Sequence, residues 1–321
     1  MRSVRDNFLT GPHGGKPDWV PSYMDEANFL RMDFWKQVDP VTGADFCNVK
    51  WMENEYGRMP REDWRAMKEI SQWRETVKFP DLSAIDWEGL VAQVRRDGDP
   101  DRANIAMVNT HGIFLIPVNM MGWVDALCAI CEEPEEVVAF VSALTDFLCR
   151  LIEYQGKYFK PDIMTTGDDV AASGGPFLSK ENWDRLYKPY FKKICDAIKA
   201  QDALVEFHCC GNCQYLIQEF LDIGADIIQL PQVNESLIED KKRLGNKLVL
   251  TGGWDRHGPG CMPDAPEDVV RESVRTAIDT FGKDGGLLFW DGGTCGKSED
   301  AMNKRKWVMD ELHRYGHQVY R

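Results

Sequence analysis

Apolar residues along this chain gather in two alternating kinds of cluster. From about residue 100 onward, short apolar runs cover 105–109, 163–166, 203–209, 226–230, 248–251 and 287–290. Runs of this length between turn residues suit buried strands. Longer stretches separate them, at about 121–132, 135–158, 180–200, 213–223, 235–243, 266–282 and 298–314, and there apolar residues return every three or four positions. Val138, Val141, Leu144, Leu148 and Leu151 show the spacing, which lays one apolar stripe along a helix. Ser179 stands where an N-cap belongs before 180–200, and Gly224 where a C′ glycine belongs. Alternation of this kind predicts parallel strands joined by helical crossovers. The fold class expected is α/β, a single domain over 1–321 built as a (β/α)8-type TIM barrel.

The first hundred residues read differently. Residues 19–23 form a short extended segment that is expected to open the barrel, although Pro21 weakens it as a strand. The stretch from about 25 to 100 is rich in Trp, Pro and charge, with Trp35, Trp51, Trp64, Trp73 and Trp87 among its residues. Its weaker periodicity predicts a long excursion over the barrel mouth, with a separate small domain as the alternative.

Composition narrows the function classes. Hydrophobic residues make up 43% and charged residues 28%, a globular balance. The net charge of −14 argues against nucleic acid and anionic membrane surfaces as partners, because both reward clustered Lys and Arg. No apolar run approaches the ~20 residues that span a bilayer. The N-terminus carries charge without an apolar core of a secretory signal, so the expected compartment is the cytoplasm. A reducing compartment keeps the ten cysteines as thiols. Cys128, Cys131, Cys149 and Cys195 sit in helical patterns and are expected to be buried small hydrophobes.

Chemistry-bearing residues follow the predicted strands in order: His111, then Asp168 and Asp169, His208 and Cys210, Gln229, Trp254 and Asp255, and Asp291 and Cys295. In a β/α barrel the loops at that end converge on the active site. The sharpest motif is Glu206-Phe207-His208-Cys209-Cys210-Gly211. Strand alternation puts Glu206, His208 and Cys210 on one side and Val205, Phe207 and Cys209 on the other. An imidazole and a thiolate so placed can share a zinc ion. Cys295, reached through a glycine-rich turn, offers a third ligand, and Glu206 is a candidate fourth. Against this stand a hydrogen-bonded core histidine with an ordinary loop thiol, and a redox pair made by Cys210 and Cys213.

Several stretches in order resemble the uroporphyrinogen decarboxylase superfamily. They are Asn7-Phe8-Leu9 with Lys16-Pro17-Asp18-Trp19-Val20-Pro21, Gly167-Asp168-Asp169 leading into Gly175-Pro176-Phe177-Leu178-Ser179, Tyr187-Lys188-Pro189-Tyr190, His208-Cys209-Cys210-Gly211, and Arg314-Tyr315-Gly316. The resemblance covers most of the chain, weakly before residue 100, and implies a distorted barrel. Within that superfamily the zinc-dependent, corrinoid-linked methyltransferases carry His-x-Cys and a later Cys, which His208, Cys210 and Cys295 match. The decarboxylase itself is matched less well. Where it carries arginines for substrate propionates, this chain has Met24-Asp25-Glu26-Ala27-Asn28.

The function expected is transfer of a methyl group from a methoxylated small molecule, an aromatic one favoured, to cob(I)alamin on a partner corrinoid protein. Zn²⁺ and cobalamin are the cofactors implied, and a homodimer is left open. Asp168, Asp169 and His111 are candidates to donate a proton or orient the ring. Phe114, Met120, Gln229, Trp254 and Trp290 are candidates for the substrate pocket. The alternatives are methyl transfer from methylcobalamin to a thiol of the coenzyme M type, uroporphyrinogen decarboxylation, and a non-catalytic protein with structural zinc. A thiol bearing a sulfonate would want a basic anchor, and only Arg256 and Lys297 lie near strand ends.

Overall fold

The structure, a computed structural model, describes residues 2–30, 38–54, 57–109, 111–292 and 299–320. Seven parallel strands form one curled sheet: β1 Ala27–Leu30, β2 Ala103–Met107, β3 Ile163–Gly167, β4 Leu204–His208, β5 Ile227–Leu230, β6 Leu250–Gly253 and β7 Leu287–Trp290. They pair in chain order, each with the next. Ser22 bridges Phe289 in parallel, with Phe289 N donating to Pro21 O and Tyr23 N to Phe289 O. The chain just before β1 therefore bonds to β7 and joins the two edges of the curl.

The barrel-like α/β class is as expected, but its opening differs. Residues 19–23 make a single bridge and no strand, and the first strand, β1, lies inside the expected excursion. Pro21 has no N–H to give a ladder, so this segment offers β7 little beyond the Pro21 carbonyl and the Tyr23 amide.

Helices cover the outside: α1 Leu115–Met121, α2 Pro134–Phe159, α3 Lys188–Lys199, α4 Leu216–Asp222, α5 Glu235–Leu244, α6 Glu267–Ala277 and α7 Glu299–Gly316. In α2 the predicted stripe is buried, through Val141, Leu144, Leu148 and Leu151. Pro134 begins it and Lys160, in a left-handed conformation, ends it. The Ser179 hydroxyl caps as predicted, accepting from Asn182 N, but a π-helical turn at Trp183–Tyr187 precedes α3. Among the described residues no single helix is long and apolar enough to cross a membrane.

The strand that carries the sharp motif is pinned from behind. Val205 and Phe207 are fully buried. Phe207 stacks on Phe220 of α4 at 4.4 Å and meets Phe191 of α3 edge-on at 5.2 Å. Ring pairs like these add about 0.5–1.5 kcal/mol each beyond area burial. The inward face of β4 is thereby held in register.

Two of the four helical cysteines expected to be buried are not. Cys195 is buried and Cys149 half-buried, whereas Cys128 and Cys131 are exposed on the helix Trp123–Glu132. Ala126, Ala129 and Ile130 form the buried face of that helix, so the two thiols fall on its other side.

Candidate metal centre and substrate cavity

Strand alternation delivers Glu206 and His208 to the interior, and pairing with the neighbours decides what they meet. Thr165 of β3 is the register partner of Glu206. Gln229 of β5 is the partner of His208, and Thr251 of β6 the partner of Gln229. These inward residues form one hydrogen-bonded layer. Glu206 is fully buried. Its Oε2 accepts from the Tyr23 hydroxyl at 2.6 Å, Thr165 Oγ1 at 2.6 Å and Gln229 Nε2 at 3.0 Å, while Oε1 accepts from Thr251 Oγ1 at 2.7 Å. Burial raises its pKa, and the hydroxyl donors pull back in the other direction.

His208 projects from the end of β4 toward two neighbours. Its Nε2 lies 3.4 Å from Asp169 Oδ1 and 3.6 Å from Cys210 Sγ. Asp169 follows β3, and its Oδ1 also accepts from Cys210 N at 2.7 Å, which fixes the loop after β4. Among the described residues these three offer ligand atoms within 4.8 Å of one another. Atoms bound to one tetrahedral zinc at 2.0–2.3 Å stand about 3.4–3.6 Å apart. The nitrogen–oxygen and nitrogen–sulfur separations observed match that spacing, so the side chains fit the ion.

The electrostatics point the same way. Burial disfavours charge on His208, but the bonds to Asp169 and Cys210 outweigh it and raise its pKa well above the usual value. Burial opposes charge on Asp169 too, yet His208 and the Cys210 amide bring its pKa below the ordinary carboxylate range. An imidazole and a carboxylate held in contact beside a thiol form a donor set that a divalent cation can take over, with release of protons.

Beside these ligands opens a cavity of about 300 Å³, at the small end of ligand sites. Met24, Phe29, Met107, Leu115 and Trp290 supply apolar wall, and no Lys or Arg among the described residues lines it. Its polar groups are mostly committed within the protein. Asn109 Nδ2 donates to Gly167 O, and Thr166 Oγ1 donates to Asn109 Oδ1. His111 differs: it lines the cavity with no hydrogen bond among the described residues, and Trp51 stacks on it at 4.7 Å. Burial lowers its pKa to about 4, so it is neutral at pH 7 and offers one donor and one acceptor nitrogen.

Residues 95–290 match the family Uroporphyrinogen decarboxylase (URO-D). The chain belongs to this family. Among solved structures, a methyltransferase from Methanosarcina mazei is similar over 98% of this chain and 99% of its own, at 13% identity and a TM-score of 0.65. That likeness extends the URO-D-type fold to almost the whole chain. No curated protein matches.

The structure brings together His208, Cys210, Asp169, His111, Gln229 and Trp290, with Asp168 in the same wall. Cys295, the expected third ligand, lies outside the described residues, as does Lys297. Glu206 stands apart from the ligand group, occupied by its four donors. Asp168 is buried and works as a cap: it accepts from Phe114 N at 2.5 Å and Leu115 N at 3.1 Å at the start of α1. Burial moves its pKa up to about 8, against the pull of those amides.

Three expected pocket residues are core residues instead. Phe114 packs on Phe177 and Tyr187. Met120 is buried where its carbonyl accepts from Ala66 N. Trp254 is buried and donates to Ser273 Oγ at 2.7 Å. Gly252 and Gly253, both at positive φ, break the alternation that would have aimed Trp254 inward. Cys210 and Cys213 are both free thiols, and Cys213 Sγ is directed at Gly211 O at 4.0 Å. Tyr23, Thr165 and Thr251 are the functional neighbours that the sequence reading missed. Their signal is register with Glu206, which needs the strand pairing to be known.

Proposed function

We propose that the protein is a zinc-dependent methyltransferase that moves a methyl group from a methoxylated small molecule, preferably a single-ring aromatic, to cob(I)alamin on a partner corrinoid protein. The observation that carries this reading is the His208–Cys210–Asp169 group, spaced for one tetrahedral ion, facing a small cavity that no Lys or Arg among the described residues lines. Cys295 belongs to the proposal as the third protein ligand with His208 and Cys210, Asp169 standing beside the metal and the fourth position left to the substrate oxygen. When bound, zinc supplies a Lewis acid for the oxygen that loses its methyl group.

The chain's own residues do the rest. Trp290, Phe29 and Leu115 hold an apolar ring and keep water from the reacting oxygen. His111, neutral, stacked on Trp51 and without a hydrogen bond among the described residues, positions the ligand by a hydrogen bond. It is a weak proton donor at pH 7, so orientation is its role rather than acid catalysis. Asp169 stays ionised beside the metal and keeps the Cys210 loop in place.

The absence of Lys and Arg from the described lining favours a neutral ether over a sulfonated thiol, and disfavours a substrate with many carboxylates. A partner corrinoid protein and a cytoplasmic setting follow from the same reading.

Metal analysis of the purified protein and of a His208→Ala variant tests the centre. About one zinc per wild-type chain and loss in the variant is expected; a metal-free wild type, or a variant that keeps its zinc, refutes it. Cob(I)alamin mixed with enzyme and a panel of methoxyarenes then tests the reaction through methylcobalamin absorbance. No product from any ether, alongside methylcobalamin consumption by a thiol, assigns the reverse chemistry.

A further inference from the structure

Behind the proposed metal ligand stands a chain of hydrogen bonds whose donors and acceptors follow in order once the Glu206 carboxylate is the acceptor at its far end. His208 Nδ1 lies 2.7 Å from Gln229 Oε1. The Gln229 amide nitrogen makes two contacts, to Tyr23 OH at 2.7 Å and Glu206 Oε2 at 3.0 Å. Tyr23 in turn donates its one hydroxyl hydrogen to Glu206 Oε2. It can then only accept from Gln229, so the NH₂ end of that amide must face Tyr23 and Glu206. The carbonyl end must face His208. A carbonyl oxygen only accepts, so Nδ1 of His208 carries the hydrogen, and Nε2 is the atom left to bind metal.

We propose that Gln229 is a positioning residue that holds His208 in this tautomer, and that Glu206, with Tyr23, sets which way Gln229 faces. The proposal rests on the metal reading of the site. The geometry is carried by the barrel itself. His208 and Gln229 are register partners on adjacent strands, and Glu206 lies two residues before His208 on the same face. Thr165 and Thr251 complete the cage around Glu206 from either side, so its carboxyl cannot turn to offer Gln229 a different contact. Partners of this kind raise ligand basicity and fix ring orientation, and their loss weakens metal binding about 10–100-fold.

The test uses the full-length protein loaded with Zn²⁺ and labelled with ¹⁵N. Long-range proton–nitrogen correlation spectra should show the His208 hydrogen on Nδ1 and Nε2 as the metal-bound nitrogen. Zinc affinity, measured against a competing chelator, should fall about 10–100-fold in Gln229→Leu and less in Glu206→Gln, whose spectra should show both tautomers.

A hydrogen on Nε2 in a wild-type protein that holds zinc overturns the proposal, the ion then being bound through another atom. So does unchanged affinity in a folded Gln229→Leu protein. If either variant does not fold, the wild-type spectrum still decides. A wild-type protein that binds no zinc overturns the metal reading and this proposal together.

Discussion

The chain from β2 onward and the hundred residues before it build different parts of the same site. The later part is regular, with strands in unbroken sequential order and helices outside them. It supplies His208, Cys210 and Asp169, at or just past strand ends, and the strand residues Glu206, Gln229, Thr165 and Thr251 behind them, held by packing such as that of Phe207. The earlier part is irregular, yet Tyr23, Met24 and Phe29 line the cavity and Trp51 covers His111. Groups that must keep ångström spacing sit on strands. Groups that shape the space above them come mostly from the irregular chain around β1, with Tyr23 and β1 itself as the points where that chain is tied into the barrel.

This contrast can be broken at either end. Phe207→Ala removes a fully buried ring from the regular part and should destabilise the fold by about 3–5 kcal/mol, read from the denaturant midpoint. A cost below about 1 kcal/mol would mean that the wall behind the ligands is not the rigid element described. His111 tests the junction of the two parts through pH. Its folded pKa, about 4, lies below the unfolded value of about 6.5, so the unfolded state binds the proton first. Its contribution is complete above pH 6.5 and is lost as pH falls toward 4, by at most about 3 kcal/mol. The difference in stability between wild type and His111→Gln should shrink over that window. A constant difference would show that the ring is not desolvated.

Trp51→Ala should have the smallest effect, and the most selective. Zinc content and melting midpoint should stay near wild type, while KM for a methoxyarene rises about tenfold, or about 1.4 kcal/mol. Loss of zinc in this variant would erase the division of labour.

How far the site was legible in the sequence follows the same boundary. The period-two motif at 206–210 gave the inward face of β4 correctly, because alternation on a strand needs no partner to be read. Asp169 was marked as reactive, but its meeting with His208 depends on β3 pairing with β4. The layer of Tyr23, Thr165 and Thr251 was invisible for that reason. Trp254 and Phe114 were misread because a place near a strand end gives no direction once glycines or a capping turn redirect the chain. The strand Ala27–Leu30 was hidden by its brevity, four residues within a stretch of weak pattern.

The bridge between Ser22 and Phe289 has a consequence for how the protein is made. Its two sides are far apart in sequence, so this contact forms only after β7 has been made, and closing so long a loop is slow. Tyr23 lies beside that bridge and also donates to Glu206. Until the last strand emerges, the hydroxyl that orders Gln229 and His208 has no fixed place. The imidazole is therefore set late, and on the metal reading proposed above, uptake of an ion into the finished geometry should be a late event in maturation.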